Sequence, residues 1–169
     1  FTRIPQYVFQ KKMKKNKILL CVPLLLAVCT SSAFAQYKHA IGGRFGTANG
    51  ISYKTFVNTN NALEFIVNFQ SNTNYSYFRV TGLMEKHAPI NDLDGLRWYY
   101  GFGATLGSRT YKPADENKLL LAADGVLGLD FKFPDAPINI AMDWKPAIEL
   151  APNTRLNGEG IGLSLRFTF

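Results

Sequence analysis

Cysteine is nearly absent from this 169-residue chain: there are two, Cys21 and Cys29, and none follows. Everything beyond position 29 is therefore without disulfides, Cys-ligated zinc or a thiol nucleophile. Histidine is as scarce, His39 and His87 only, and a metal site needs several convergent ligands. No apolar run approaches the roughly 20 residues of a transmembrane helix. The longest, residues 18–28, is short and carries Pro23. No P-loop, HExxH, EF-hand loop or dinucleotide fingerprint is present, which removes the commonest motif-bearing enzyme classes. No acid occurs in the first 35 residues, whereas six bases do (Arg3, Lys11, Lys12, Lys14, Lys15, Lys17).

That asymmetry explains the overall charge of +7. Met13 is followed by Lys14, Lys15 and Lys17, then by the apolar run, then by Thr30, Ser31, Ser32 and Ala33-Phe34-Ala35. A basic start, a short apolar stretch and an A-x-A site are the order of a secretory signal peptide. Residues 13–35 are read as that signal, with cleavage after Ala35. Residues 1–12 are read as an extension upstream of the initiator Met13 and are set aside. A lipoprotein alternative stays open, because Leu26-Ala27-Val28-Cys29 is close to a lipid-attachment box, although Val28 is bulky for one. Without the leader, thirteen bases face twelve acids, a net charge of +1. The basicity is a targeting signal and gives no nucleic-acid surface.

What is present, over residues 36–169, is a single domain of short alternating segments punctuated by Asn, Gly, Asp and Pro. No long window has a helical period, so the body is expected to be all-β and up-and-down. Eight strands are predicted. The first spans about residues 37–45, with Tyr37, His39, Ile41 and Phe45 opposite Lys38 and Arg44; the second spans 51–57, with Ile51, Tyr53 and Val57 opposite Ser52 and Lys54. The third sets Leu63, Phe65, Val67 and Phe69 against Glu64 and Asn68, and the fourth sets Phe78, Val80 and Met84 against Arg79 and Thr81. A long link is expected over residues 85–95. The fifth alternates Leu96, Trp98, Tyr100, Phe102 and Leu106 with Arg97, Tyr99 and glycines. After a polar link over 108–118, the sixth sets Leu119, Leu121, Leu127, Leu129, Phe131 and Phe133 against Asp124, Gly128, Asp130 and Lys132. The seventh sets Ile138, Ile140, Met142, Trp144 and Ile148 against Asn139, Asp143, Lys145 and Glu149, and Pro146 predicts a break in its ladder. The eighth ends the chain: Ile161, Leu163, Leu165, Phe167 and Phe169 alternate with Gly162, Ser164, Arg166 and Thr168.

An eight-strand interior is only just wide enough for side chains. The aromatic face is too bulky to fill it, whereas small and paired charged residues fit. The reading is therefore an eight-stranded antiparallel up-and-down transmembrane β-barrel, apolar face to lipid, with closure satisfying every backbone group. Arg44, Glu64, Arg79, Arg97, Asp130, Lys132, Asp143, Lys145 and Arg166 are expected to form a lumen charge network, as a salt-bridged plug more readily than a conduit. Trp98, Tyr100, Phe133 and Trp144 are expected at the membrane interfaces. The alternative is a soluble lipocalin-like carrier with the greasy face inward.

The last strand resembles the C-terminal signature of bacterial outer-membrane barrels, carried by Leu165, Phe167 and the terminal Phe169, which the barrel assembly machinery reads. Residues 95–103 (GLRWYYGFG), 128–138 (GLDFKFPDAPI), 143–146 (DWKP) and 162–169 (GLSLRFTF) together resemble small outer-membrane β-barrel proteins of Bacteroidetes. The resemblance implies an outer-membrane location, lipid and lipopolysaccharide as surroundings, and no catalytic set. A monomer without cofactor is expected, and the extracellular links are the remaining surface for a partner that no residue pattern names. A lipid A-modifying barrel enzyme is the other open alternative. It needs a His, a Ser and an acid converging near the lipid interface, and neither His39 nor His87 has a strand-spaced serine.

Overall fold

The computed structural model describes residues 37–71, 73–90, 93–112, 116–158 and 160–169. The signal peptide, its cleavage site, the upstream extension and both cysteines lie outside the described residues.

Alternation of bulky apolar and polar residues, interrupted by short Asn/Gly/Pro turns, produces ten β-segments and no helix among the described residues. They are β1 (His39–Gly46), β2 (Gly50–Phe56), β3 (Asn61–Ser71), β4 (Tyr75–Pro89), β5 (Leu96–Tyr111), β6 (Glu116–Lys132), β7 (Ile138–Trp144), β8 (Ala147–Ala151), β9 (Arg155–Asn157) and β10 (Ile161–Thr168). Each of β1 to β6 pairs antiparallel with the next, β6 with β7, β7 with β10, and β10 with β1. This is a closed antiparallel barrel of eight staves. The seam is zipped to the last residue, with His39 N–H donating to Phe169 O and Phe169 N–H to His39 O, both at 2.9 Å.

The two extra segments follow from Pro146. Beyond Lys145 and Pro146 the seventh stave resumes as β8, still on β6, and β9 pairs with β8. The ladder of β6 is thus filled first by β7 and then by β8, and the break falls where proline has no N–H to give.

One end of the barrel, the terminal end, carries residue 37, Phe169 and the turns that follow β2, β4 and β6. The turn at 57–60 is held by Asn58, whose Oδ1 accepts from the N–H groups of Asn60 (3.0 Å) and Asn61 (2.8 Å). At 90–95, Gly95 has φ +89°, a conformation that favours glycine.

Two expectations are corrected. The link expected over 85–95 opens as strand: β4 runs to Pro89, where the missing N–H falls at the strand's end, and Glu85 and His87 point inward. The link over 108–118 is likewise a continuing hairpin, with Tyr111 opposite Glu116. Consequently β4, β5 and β6 are 15, 16 and 17 residues long, against 7 or 8 for β1, β2, β7 and β10. A tilted crossing takes about 9–11 residues, so this wall projects beyond the opposite end.

The faces sort by chemistry. Side chains such as Phe45, Phe65, Phe78, Phe102, Leu127, Met142, Leu163 and Phe167 are exposed on the outside. Inside lie Arg44, Lys54, Glu64, Glu85, Asp124, Asp130, Asp143 and Arg166, all buried.

Candidate functional site

The interior is layered along the barrel axis. The deepest layer centres on Arg166 of β10. Its Nη2 donates to Glu64 Oε1 at 2.5 Å, its Nε to Ser52 Oγ at 2.7 Å and its Nη1 to Asn139 Oδ1 at 3.2 Å, with Asp130 at 4.0 Å. Four staves beyond the seam therefore meet around one guanidinium, whose planar fork suits several acceptors at once. Lys54, opposite Glu64 in the β2–β3 register, places Nζ 3.2 Å from Glu64, 2.7 Å from Glu85 and 3.9 Å from Asp130. The same ammonium lies 4.1 Å from the centroid of the Tyr99 ring. Lys54, Glu64, Glu85, Asp130 and Arg166 are each at most 1 % exposed. Charges so buried are tolerable only when paired.

Toward the terminal end the layer turns aromatic. Tyr37 packs edge-on against Phe56 at 5.1 Å, Phe56 against His87 at 4.8 Å, and His87 stacks on Tyr99 at 4.8 Å. His87 Nε2 lies 3.0 Å from Glu85 Oε2, and the Tyr37 hydroxyl donates to Asp130 at 3.3 Å. Tyr37, expected on the outer face, is thus inside, because it precedes β1 and folds over the opening to reach Asp130.

Toward the opposite end, Arg44 and Asp143 form a two-pronged pair, Nη1 to Oδ2 at 2.6 Å and Nη2 to Oδ1 at 2.5 Å, joined by the Tyr99 hydroxyl at 2.9 Å. Arg44 fits because the next stave presents glycine: a Cβ on Gly162 would fall 2.3 Å from Arg44 Nη2. Above this pair, Lys145 Nζ meets Asp124 at 2.7 Å, and Asp124 also accepts from Thr105, itself 2.6 Å from Thr81. Higher still, Glu149 lies between Arg109 (3.5 Å) and Arg155 (3.3 Å).

Of the nine charges expected to form one network, Glu64, Asp130 and Arg166 meet in the deep layer, Arg44 pairs with Asp143 above it, and Lys145 pairs with Asp124. The other three do not join. Lys132 sits at the end of β6 and donates to the carbonyls of Phe133 (2.6 Å) and Ala136 (2.7 Å). Arg97, at the terminal end, donates to Thr59 O at 3.2 Å. Arg79 lies over the Tyr77 ring at 4.2 Å, near the opposite end. Lys54, Glu85, His87, Tyr99 and Asp124 are interior members outside that expected set. Lys54 and Asp124 were legible from alternation, and Glu85 and His87 were hidden by reading their segment as a link.

Trp98 and Tyr100 stack at 5.4 Å outside the terminal half, and Phe131 and Phe133 pack edge-on at 4.8 Å nearby. Trp144 lies on the other half, opposite Ile161, with Nε1 donating to Gly158 O at 2.6 Å. Leu165, Phe167 and Phe169 face outward on the seam, Phe167 and Phe169 with rings 6.4 Å apart. His39, also outside, has Nδ1 3.0 Å from both the Tyr53 and Thr55 hydroxyls. Thr55 is a cross-strand hydroxyl that a search for strand-spaced serine passes over. No Asp or Glu side chain contacts His39 among the described residues, so a nucleophile–base–acid array of side chains is not assembled there.

No protein-family model matches the sequence, and no curated protein matches it. Among solved structures, the chain is similar to the N-terminal β-barrel domain of Pseudomonas aeruginosa OprF, with a TM-score of 0.61 at 17 % identity over 78 % of this chain and 95 % of that one. It is also similar to Neisserial surface protein A (NspA), with a TM-score of 0.50 at 8 % identity over 78 % of this chain and 93 % of that one. At these identities the likeness is one of fold.

Proposed function

We propose that the protein is an integral outer-membrane β-barrel of a Gram-negative envelope, monomeric, closed to through-flow, with a structural or surface-interaction role. The observation that carries this reading is the inversion of the usual soluble arrangement: the exterior of every stave is apolar and the interior is ionic. Water-facing monomers do not expose contiguous apolar surface on this scale. Hydrocarbon accepts it, and accepts a sheet only when closure pairs every backbone group. A lipocalin-like carrier needs an apolar interior, whereas this one holds Arg166, Lys54 and their carboxylates.

Orientation follows from the unequal reach of the strands. At the end away from the terminus the β3–β4 and β5–β6 ladders and the β8–β9 segment run on past the short staves β1 and β2, and the longer side of such a barrel is usually the extracellular one. The deep ion layer and the aromatic layer at Tyr37, Phe56 and His87 act as a plug. The plug also ties β2, β3, β4, β6, β7 and β10 together across the lumen, so it holds the staves in register.

The test is membrane fractionation followed by gel electrophoresis of unheated and boiled samples. An outer-membrane band whose mobility shifts on boiling is expected. A periplasmic band without a shift overturns the reading.

A further inference from the structure

Above the Arg44–Asp143 pair, the opposite end of the barrel holds a cup. Its walls include Arg44, Asn68, Arg79, Thr105, Asp124 and Lys145. The cavity is about 50 Å³, room for about four waters at the ~10–15 Å³ each one's centre requires. That is the size of one oxyanion, not of a sugar ring.

Among the described residues, the carboxylates around this cup are already engaged. Asp143 is held by Arg44 and Tyr99, Asp124 by Lys145 and Thr105, and Glu149 by Arg109 and Arg155. Arg44 and Lys145 are matched by these carboxylates, and Arg79 is not. Among the described residues, Arg79 has only the face of Tyr77 under its guanidinium, and its Nε is buried without a hydrogen-bond partner. A buried donor left unpaired is costly, and an unfilled guanidinium fork is suited to carboxylate or phosphate oxygens. Lys145 and the donor-rich Arg44 line the same space. The floor is sealed by the ion layer, so the cup opens at one end only.

We propose that this cup is an anion-binding site centred on Arg79 and taking a phosphate-sized oxyanion, free or displayed on a larger molecule at the mouth. That the cup faces the cell exterior rests on the orientation proposed above; the binding chemistry does not. Arg79 is the recognising group, seated on the Tyr77 ring, and Lys145, which shares its charge with Asp124, stands beside it as a further donor.

The experiment uses the full barrel in a non-ionic, phosphate-free detergent, with inorganic phosphate titrated by calorimetry. Saturable binding is expected. It weakens by at least about tenfold in Arg79→Ala, the loss expected for charge-assisted hydrogen bonds, is partly retained in Arg79→Lys, and is unchanged in Arg97→Ala at the other end. Absence of saturable binding, or equal binding by Arg79→Ala, overturns the proposal. Repeating the titration in vesicles with and without lipopolysaccharide separates the sources: loss of phosphate capacity in the lipopolysaccharide vesicles assigns the site to its phosphates, and equal capacity assigns it to free phosphate. Each sample is also run unheated and boiled. A missing mobility shift defeats the barrel reading, whereas a shift without phosphate binding defeats only the anion site.

Discussion

Replacing Asp143 by alanine probes the interior most sharply. Asp143 accepts two short hydrogen bonds from Arg44 and one from Tyr99. The substitution leaves the Arg44 guanidinium, 4 % exposed, with Ser164 Oγ at 3.3 Å as its remaining side-chain acceptor. Removing one partner of a buried pair costs about 3–5 kcal/mol, because the survivor is an uncompensated charge. Arg44 also borders the cup, so water reaches it and the cost falls to about 3 kcal/mol. Glu64→Ala takes the nearest carboxylate from Arg166 and leaves Lys54 with Glu85, deeper in the barrel and away from the cup, and costs nearer to about 5 kcal/mol on the same scale. Arg44→Leu combined with Asp143→Leu removes both charges and returns to within about 1 kcal/mol of the parent, as isosteric replacement of whole ion pairs does. Equilibrium urea unfolding in lipid vesicles, followed by tryptophan fluorescence, gives all of these values. An Asp143→Ala barrel as stable as the parent, or a double variant no better than the single one, refutes the argument that the interior charges stand by being paired.

Three further outcomes are expected. Gly128→Ala puts a Cβ 2.7 Å from Asp143 Cβ, Met142 O and Tyr99 Cζ, so overpacking costs about 1–3 kcal/mol in the same unfolding assay; a neutral result means that the Tyr99 layer is loose. Leu165→Arg, at the middle of β10 on the outer face, destabilises by about 2–4 kcal/mol in vesicles, whereas Lys132→Ala, at the end of β6 beside the 133–137 turn, costs less than about 1 kcal/mol; the reverse order contradicts the assignment of faces. In planar bilayers the parent barrel passes no steady current, since both the ion layer and the aromatic layer cross the lumen; a stepwise ohmic conductance contradicts the plug.

Period-two alternation carried the closed eight-stranded fold, because a barrel wall in this geometry is a binary pattern repeated on every stave. Pro146 announced the break that divides the seventh stave into β7 and β8. The pattern faded where the barrel stops separating two solvents. At Glu85, Lys86 and His87, and again at Arg109, Thr110 and Tyr111, both faces are polar, and strand reads as loop although the backbone ladder continues. Which charges meet was less legible still. Arg166 reaches Glu64 across 102 positions of sequence, a contact set by stave order and axial height. Lys132 has the same inward parity as Asp130, yet it lies one residue pair nearer the end and turns to carbonyls instead. Alternation gives a side chain's face but not its height in the lumen.

The most direct test of the inside-out barrel is fluorescence quenching of its two tryptophans by lipids brominated on their acyl chains. Trp98→Phe leaves Trp144 alone, and Trp144→Phe leaves Trp98 alone. Both indoles face outward, so the account predicts strong quenching of each single-tryptophan barrel by the brominated chains. Emission unaffected by brominated lipid would place the aromatic face away from hydrocarbon and contradict the account.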